Sequence, residues 1–290
     1  MKIFYGIVTL SIVVLVAFYF SLRPKPRPIT ISANSWPGYT PLFYAKEKGW
    51  LTPFSLQLYA VSSLNESILL YESGLSDGLA TTNDAALRLQ KRFALTPIFF
   101  FDRSDGADKI LANHSLESLQ TSNDPIDVYL EIESVNALLL NSFIEYYRFA
   151  PERFRLHNIS QELILNLPYR QTPTLLVTYE PYVSLLKAQG YQQIASSALP
   201  NVTILDLLLI KTDIAETRPQ LISELRRALF RAAEALERDP KTFYTVVQHY
   251  LEGLSYEEFM HSLEEIKMVN TPETSERFVQ LYRQQKGIQP

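Results

Sequence analysis

The chain contains no cysteine, which removes thiolate nucleophiles, disulfides, iron-sulfur clusters and cysteine-held zinc together. Glycine is scarce, 9 in 290 residues, about 3% where about 7% is usual, and neither a P-loop nor a GxGxxG run occurs. Positive charge is not in excess. Lys plus Arg number 27 against 31 Asp plus Glu, for a net charge of −4, so phosphate meets no broad basic footprint and nucleic acid is not an expected partner. The four histidines, His114, His157, His249 and His261, share no metal-ligand spacing, and neither HExxH, GxSxG nor SxxK is found. No cofactor, metal or catalytic residue is therefore expected, and the chain does not read as an enzyme. What is present is a 47% hydrophobic composition with 17 Tyr and 16 Phe. That composition repays its ordering entropy, and the length is enough to bury a large core.

The longest apolar run lies at the start. Residues 3–22 carry no charge, and twenty residues at about 1.5 Å each match the roughly 30 Å of a bilayer core. The run predicts a transmembrane anchor. A cleaved signal peptide fits less well, because Phe18, Tyr19 and Phe20 stand where a peptidase requires small side chains. Residues 23–28 alternate Arg23, Lys25 and Arg27 with Pro24, Pro26 and Pro28, which favours a short, extended polyproline stalk. Lys2 precedes the anchor and three basic residues follow it, so a literal positive-inside count would put the bulk of the chain in the cytoplasm.

After the stalk, strand and helix patterns alternate. Ile29, Ile31 and Ala33 keep a period of two, a helical stretch over about 40–48 stops at Gly49, and 55–60 and 64–73 repeat the cycle. A short strand at 79–81, a helix from Asn83 to Gln90 and a fully apolar strand at 97–101 follow. The second series predicts strands at 126–130, 154–158 and 175–178 and helices at 135–147 and 181–189. After a strand at 202–209 the chain reads as helical over 219–238, 240–250, 255–267 and 272–285, with proline at or near three of the starts. Alternation of this kind predicts an α/β protein with parallel-rich sheets, here in two units.

Several short motifs, in order, resemble the substrate-binding proteins of nitrate, sulfonate, taurine and thiamine-precursor ABC transporters. They are Trp36-Pro37-Gly38-Tyr39-Thr40-Pro41-Leu42 with Ala45, Glu47 and Gly49; the stretch from Asp77 to Leu87; Asp102, Ser104 and Gly106-Ala107-Asp108 before Ile110; Thr178-Tyr179-Glu180-Pro181-Tyr182; and Leu199-Pro200 to Asp206. The resemblance covers about residues 29–285. It departs at Glu117-Ser118-Leu119-Gln120-Thr121 and at Glu133-Ser134, where the family carries Asp-Leu-Lys-Gly-Lys and Gly-Ser. Lacking that glycine, the loop offers an anion fewer free backbone N–H groups. The absence of cysteine also sets the chain apart from the enzymatic branch of this fold.

The resemblance implies a two-lobed type II periplasmic-binding-protein fold with a hinged cleft, preceded by the transmembrane helix. Lobe 1 is expected at 29–112 plus 206–290 and lobe 2 at 113–205. It implies an extracytoplasmic receptor at the cytoplasmic membrane that captures a small molecule for an ABC permease. The alternatives are a ligand sensor signalling to a membrane or protein partner and, third, an anchored α/β enzyme. Candidate ligand-binding residues are Trp36, Tyr39, Asp84, Ser104, Ser134 and Glu180. Trp36 and Tyr39 either stack on the ligand or pack the first strand on its helix. Asp84, Ser134 and Glu180 either face the cleft or support helix starts, and Ser104 sits on a loop where its hydroxyl can enter the cleft. Two carboxylates beside two aromatics suit an amine, a quaternary cation or a donor-rich heterocycle better than nitrate or sulfonate.

Overall fold

The computed structural model describes residues 27–200 and 202–287. The expected anchor at 3–22 and most of the stalk lie outside the described residues. No helix among the described residues is long and apolar enough to cross a membrane. Arg27, at the end of the stalk, donates to the buried Asp77 carboxylate at 3.0 and 2.6 Å, and Lys211 reaches the same group at 2.9 Å. The two cations and the Thr30 N–H hold the Asp77 carboxyl below the usual range although burial opposes them.

Eleven strands are described: β1 (Ile29–Asn34), β2 (Leu56–Val61), β3 (Gly78–Thr82), β4 (Leu95–Ser104), β5 (Lys109–Ala112), β6 (Ile126–Leu130), β7 (Phe154–Asn158), β8 (Thr174–Thr178), β9 (Gln192–Ser196), β10 (Ile204–Lys211) and β11 (Ile266–Met268). They form two sheets, one ordered β11-β4-β10-β3-β1-β2 and the other β7-β6-β8-β5-β9. The expectation of parallel-rich sheets needs correction. β1 pairs in parallel with β2 and β3, and β6 with β7 and β8, but every pairing of β4, β5 and β10 is antiparallel. The reason is connectivity. The chain leaves the first sheet along β4, enters the second along β5, and returns from β9 to β10. A strand that goes out and one that comes back must run opposite ways when they pair.

The passage from β4 to β5 occupies Asp105–Asp108, so Lys109–Ala112 lies in the five-stranded sheet. It falls ahead of the 112/113 division expected between the lobes. At the far end, the expected helix at 255–267 ends earlier. A capping box of Ser255 and Glu258 starts it at Tyr256, it stops at Glu264, and Ile266–Met268 becomes β11 on the free edge of β4. Burial of Ile266 against that edge outweighs continued helix.

One core packs the first sheet and continues onto one face of the second through Leu111, Tyr129 and Leu176, and the opposite face of the second sheet has a core of its own. In the first core, Phe99 packs on Phe230 of the helix Pro219–Arg238 with ring centroids 5.2 Å apart, and the buried face of that helix carries Ile222, Leu225, Leu229, Ala232 and Leu236 at helical spacing. In the second, Ile110, Val128 and Val177 meet Leu139 and Phe143 of the helix Val135–Tyr146.

Candidate functional site

The site begins where β1 ends. A single 3-10 turn, Pro37–Tyr39, joins β1 to the helix Thr40–Glu47 and is closed by the Tyr39 N–H on the Trp36 carbonyl at 3.0 Å. Proline presets the turn, and the turn throws two aromatic donors onto two buried acids. The Trp36 indole N–H donates to Asp102 at 3.2 Å and the Tyr39 hydroxyl to Asp206 at 2.5 Å. Gly38 makes the approach possible, since a Cβ there would lie 1.9 Å from an Asp102 oxygen. Asp102 on β4 and Asp206 on β10 are direct cross-strand partners, so the two carboxyls meet with no base between them.

Burial pushes the Asp102 carboxyl up to about 7, with the Asp108 charge adding to it and the Trp36 N–H opposing. Burial and the adjoining Asp102 charge hold Asp206 well above the usual carboxylate range. Two buried carboxyls this close keep a proton between them at neutral pH. Asp108, in the passage between the sheets, is pushed up to about 6 by burial, with the Ser104 hydroxyl and the Lys109 charge pulling it down.

The second sheet closes the site from the other side. Tyr179, following β8, packs edge to face on Trp36 with ring centroids 6.0 Å apart. Its hydroxyl donates to Glu131 at 3.3 Å and accepts the Asn34 amide N–H and the Leu64 N–H, each at 3.4 Å. Tyr182 reaches across as well, donating to the Ser62 carbonyl at 2.6 Å. Burial pushes Glu131 up to about 7, while Ser63, Tyr179, Gln161 and the Asn65 N–H draw it down. Ser63 caps the helix Leu64–Glu72, so Glu131 of the second sheet rests on a helix N-terminus of the first.

Between these groups lies a cavity with about 20 Å³ open to the centre of a water-sized sphere, lined by Asn34, Trp36, Tyr39, Leu64, Thr82, Asp108, Val135, Tyr179 and Asp206. That is room for one small group, so anything larger enters by parting the two sides. Asn34 Oδ1, Thr82 Oγ1 and Asp108 Oδ2 have no hydrogen-bonding partner among the described residues. Buried polar groups are nearly always partnered, and here three that are not line one space.

Of the residues singled out from sequence, Trp36 and Tyr39 line this cavity. Both also pack in the core, where Tyr39 meets Phe101 at 5.1 Å between ring centroids. The other four are placed elsewhere. Ser104 shares a 2.7 Å hydrogen bond with Ser197 and accepts the Asp108 N–H, tying the outgoing passage to the returning one. Ser134 caps the helix Val135–Tyr146, accepting the Asn136 N–H at 3.2 Å, and its neighbour Val135 lines the cavity. Glu180 accepts from Ser184 N–H and Oγ at 3.2 and 3.0 Å, at the start of the helix Tyr182–Ala188. Asp84 is held by Arg88, which also donates to the Glu133 carbonyl across the rim.

Sequence reading passed over Asn34, Thr82, Asp108 and Asp206 as lining residues. Two of the acids around the site had a signal. Asp102 directly follows the apolar run Ile98–Phe101, and Asp206 interrupts Ile204–Ile210. An aspartate inside a strand buried on both faces is costly unless something holds it. Asn34 and Thr82 carry no such mark, because polar residues at strand ends are common.

The architecture is that of solved structures at low identity. The ligand-binding component of an ABC-type import system from Staphylococcus aureus matches with a TM-score of 0.69 and 14% identity, over 91% of this chain and 93% of that one. The alkanesulfonate-binding protein SsuA from Xanthomonas axonopodis pv. citri matches with a TM-score of 0.68 and 14% identity, over 92% and 96%. The desulfurization enzyme DSZB matches with a TM-score of 0.62 and 11% identity, over 91% and 93%. No protein-family model and no curated sequence relative matches the chain. The chain therefore has the two-sheet periplasmic-binding-protein fold, one shared by binding proteins and by an enzyme.

Proposed function

We propose that the chain is an extracytoplasmic solute-binding protein, held at the membrane by residues 3–22, that captures a small molecule between two lobes and hands it to an ABC permease. The observation that carries this reading is the cavity itself. It is built by both sheets, lined by aromatic rings and unpartnered polar atoms, and lies beside two passages on which the lobes can hinge. In this reading the lobes divide at 105–108 and between β9 and β10. Trp36 and Tyr39 line the first lobe's wall, and Tyr179 faces them from the second. A binding protein needs only to enclose its ligand, and such enclosure is what the geometry offers. The import-system component and the alkanesulfonate-binding protein of similar fold support the reading, although each is only 14% identical to this chain.

Thermal denaturation of the full chain with amines, pyrimidines, sulfonates and nitrate tests the reading. One class should raise the melting temperature, by the equivalent of about 2.7 kcal/mol at a hundredfold excess over Kd, and Trp36→Ala should abolish the shift. Stabilisation by no class would overturn the receptor reading. Chemical consumption of a stabilising ligand would replace it with an enzymatic one.

A further inference from the structure

The cavity is one-sided in its chemistry. Among the described residues, its only charged lining groups are Asp108 and Asp206, with neither lysine nor arginine in the lining. Lys109, which follows Asp108 in the chain, is buried and directed at Glu265. The neutral groups add to the imbalance. The single Tyr179 hydroxyl proton goes to Glu131, so the Asn34 group facing Tyr179 is its NH2 and the carbonyl is left for the cavity. Thr82 Oγ1 and Asp108 Oδ2 are likewise without partners, and Asn34, Thr82 and Asp108 are each less than 5% exposed. The Thr82 hydroxyl can donate as well as accept, but the Asn34 carbonyl and the Asp108 oxygen can only accept when Asp108 is ionised, so a ligand completing this set brings more donors than acceptors.

An anion finds no matching place. The N-terminus of the helix Leu64–Glu72 would favour negative charge, but the Glu131 carboxyl already lies against Ser63 and the Asn65 N–H there. The N-terminus of the helix Val135–Tyr146 is occupied by its own Ser134 cap.

We propose that the interlobe cavity binds a compact organic cation with at least two N–H donors, of the amidinium, guanidinium or primary ammonium class. Asp108 and Asp206 are its counter-ions, and the Asn34 carbonyl and Thr82 hydroxyl are its neutral acceptors. The inference rests on the receptor reading and names the ligand class for that same site. The Trp36, Tyr39 and Tyr179 rings around the space add aromatic surface favourable to a cation.

A protonic consequence follows. Asp206 faces Tyr39, Asp102 and Asp108; Asp102 faces Trp36; Asp108 faces Ser104 and the Lys109 charge. Without a cation, Asp102 and Asp206 hold a proton between them at neutral pH, and Asp108 takes one up as the pH falls below about 6. A cationic ligand replaces a proton, so its affinity is highest above about pH 7 and falls as the pH drops below about 6.

Calorimetric titration of the full chain at pH 7.5 tests the proposal with isosteric pairs: acetamidinium against acetamide, and guanidinium against urea at millimolar concentration. Methanesulfonate and nitrate serve as anions. At least one cation should bind while its neutral isostere and both anions do not. Its affinity should fall about tenfold per pH unit below pH 6 if one proton is exchanged. Asp108→Asn should weaken it at least tenfold, and Thr82→Val by a smaller factor, with unchanged circular dichroism. The isostere pairs and the pH profile test the inference on the native chain even if a variant misfolds. Binding of methanesulfonate or nitrate with the cations silent would overturn the cation assignment and leave the receptor reading standing. Silence from every probe would count against both.

Discussion

Two polar clusters lie close together where the chain leaves the first sheet after β4 and where it returns between β9 and β10, and they are built in opposite ways. In the hinge cluster, Ser104 and Ser197 share one hydrogen bond, Gly106 N–H donates to Ser197 at 2.9 Å, Asp108 N–H donates to Ser104, and Ser197 N–H donates to the Asp108 carbonyl at 2.8 Å. Donors and acceptors match. In the cleft cluster, Asp102, Asp206 and Asp108 crowd together and three lining atoms lack partners. A matched network holds a structure, whereas an unmatched one costs stability unless a ligand completes it. On the proposed reading, the first cluster joins the lobes and the second recognises the ligand.

Four changes break or sharpen that contrast. Gly38→Ala attacks the cleft cluster hardest, because the added methyl collides with Asp102 and with the Trp36 indole. A loss of about 3 kcal/mol is expected in urea denaturation, as for overpacking in a closed site. Asp108→Asn works in the other direction. Its carboxyl is raised to about 6 by burial, so the folded form keeps a proton that the unfolded chain releases. The acid therefore stabilises the fold at low pH, and that contribution is lost as the pH rises from about 4 to about 6. The variant should flatten that slope and be more stable at pH 8, by on the order of 2 kcal/mol, while binding ligand less well. A stability gain together with an affinity loss is what a recognition cluster predicts and a hinge cluster does not.

Ser197→Val tests the hinge. It leaves the Gly106 N–H buried without its acceptor, at a cost of about 1–2 kcal/mol, and the loss should not depend on pH between 5 and 8. Arg88→Ala is the smallest. The arginine spans the rim from Asp84 to Glu133, but it is more than a third exposed, so stability should change by less than about 0.5 kcal/mol. A change above 1 kcal/mol would show that the rim holds the lobes together.

The fold was largely legible because its strands and helices follow local periodicity. Strands 126–130 and 154–158 and helices 219–238 and 272–285 fall where the pattern places them. Strand direction was not legible, since antiparallel pairing in β4, β5 and β10 follows from a passage between sheets that local sequence does not encode. β11 was read as helix for a related reason: its amphipathic pattern is ambiguous, and only the free edge of β4 decides it. At the site, the Trp36 to Tyr39 turn was visible as a motif. Asp84 and Glu180 lie in motifs of the resemblance and at helix starts, where Arg88 pairs with the first and Ser184 donates to the second. Asp108 and Asp206 reach the cavity because two strands and a passage converge, a long-range fact. The proposed cationic ligand therefore rests on carboxylates other than the two that the sequence singles out.

The most direct test of the account is whether the two lobes close on a ligand. The chain has no cysteine, so Leu69→Cys on the helix Leu64–Glu72 and Tyr146→Cys on the helix Val135–Tyr146, both at exposed positions, introduce the only two thiols for spin labels. Pulsed electron resonance then reads the distance between them. Addition of acetamidinium at pH 7.5 should shift the distribution to a single shorter distance, and Asp108→Asn should prevent the shift. A distribution that stays the same with every cation and anion would contradict a hinged receptor at this cavity.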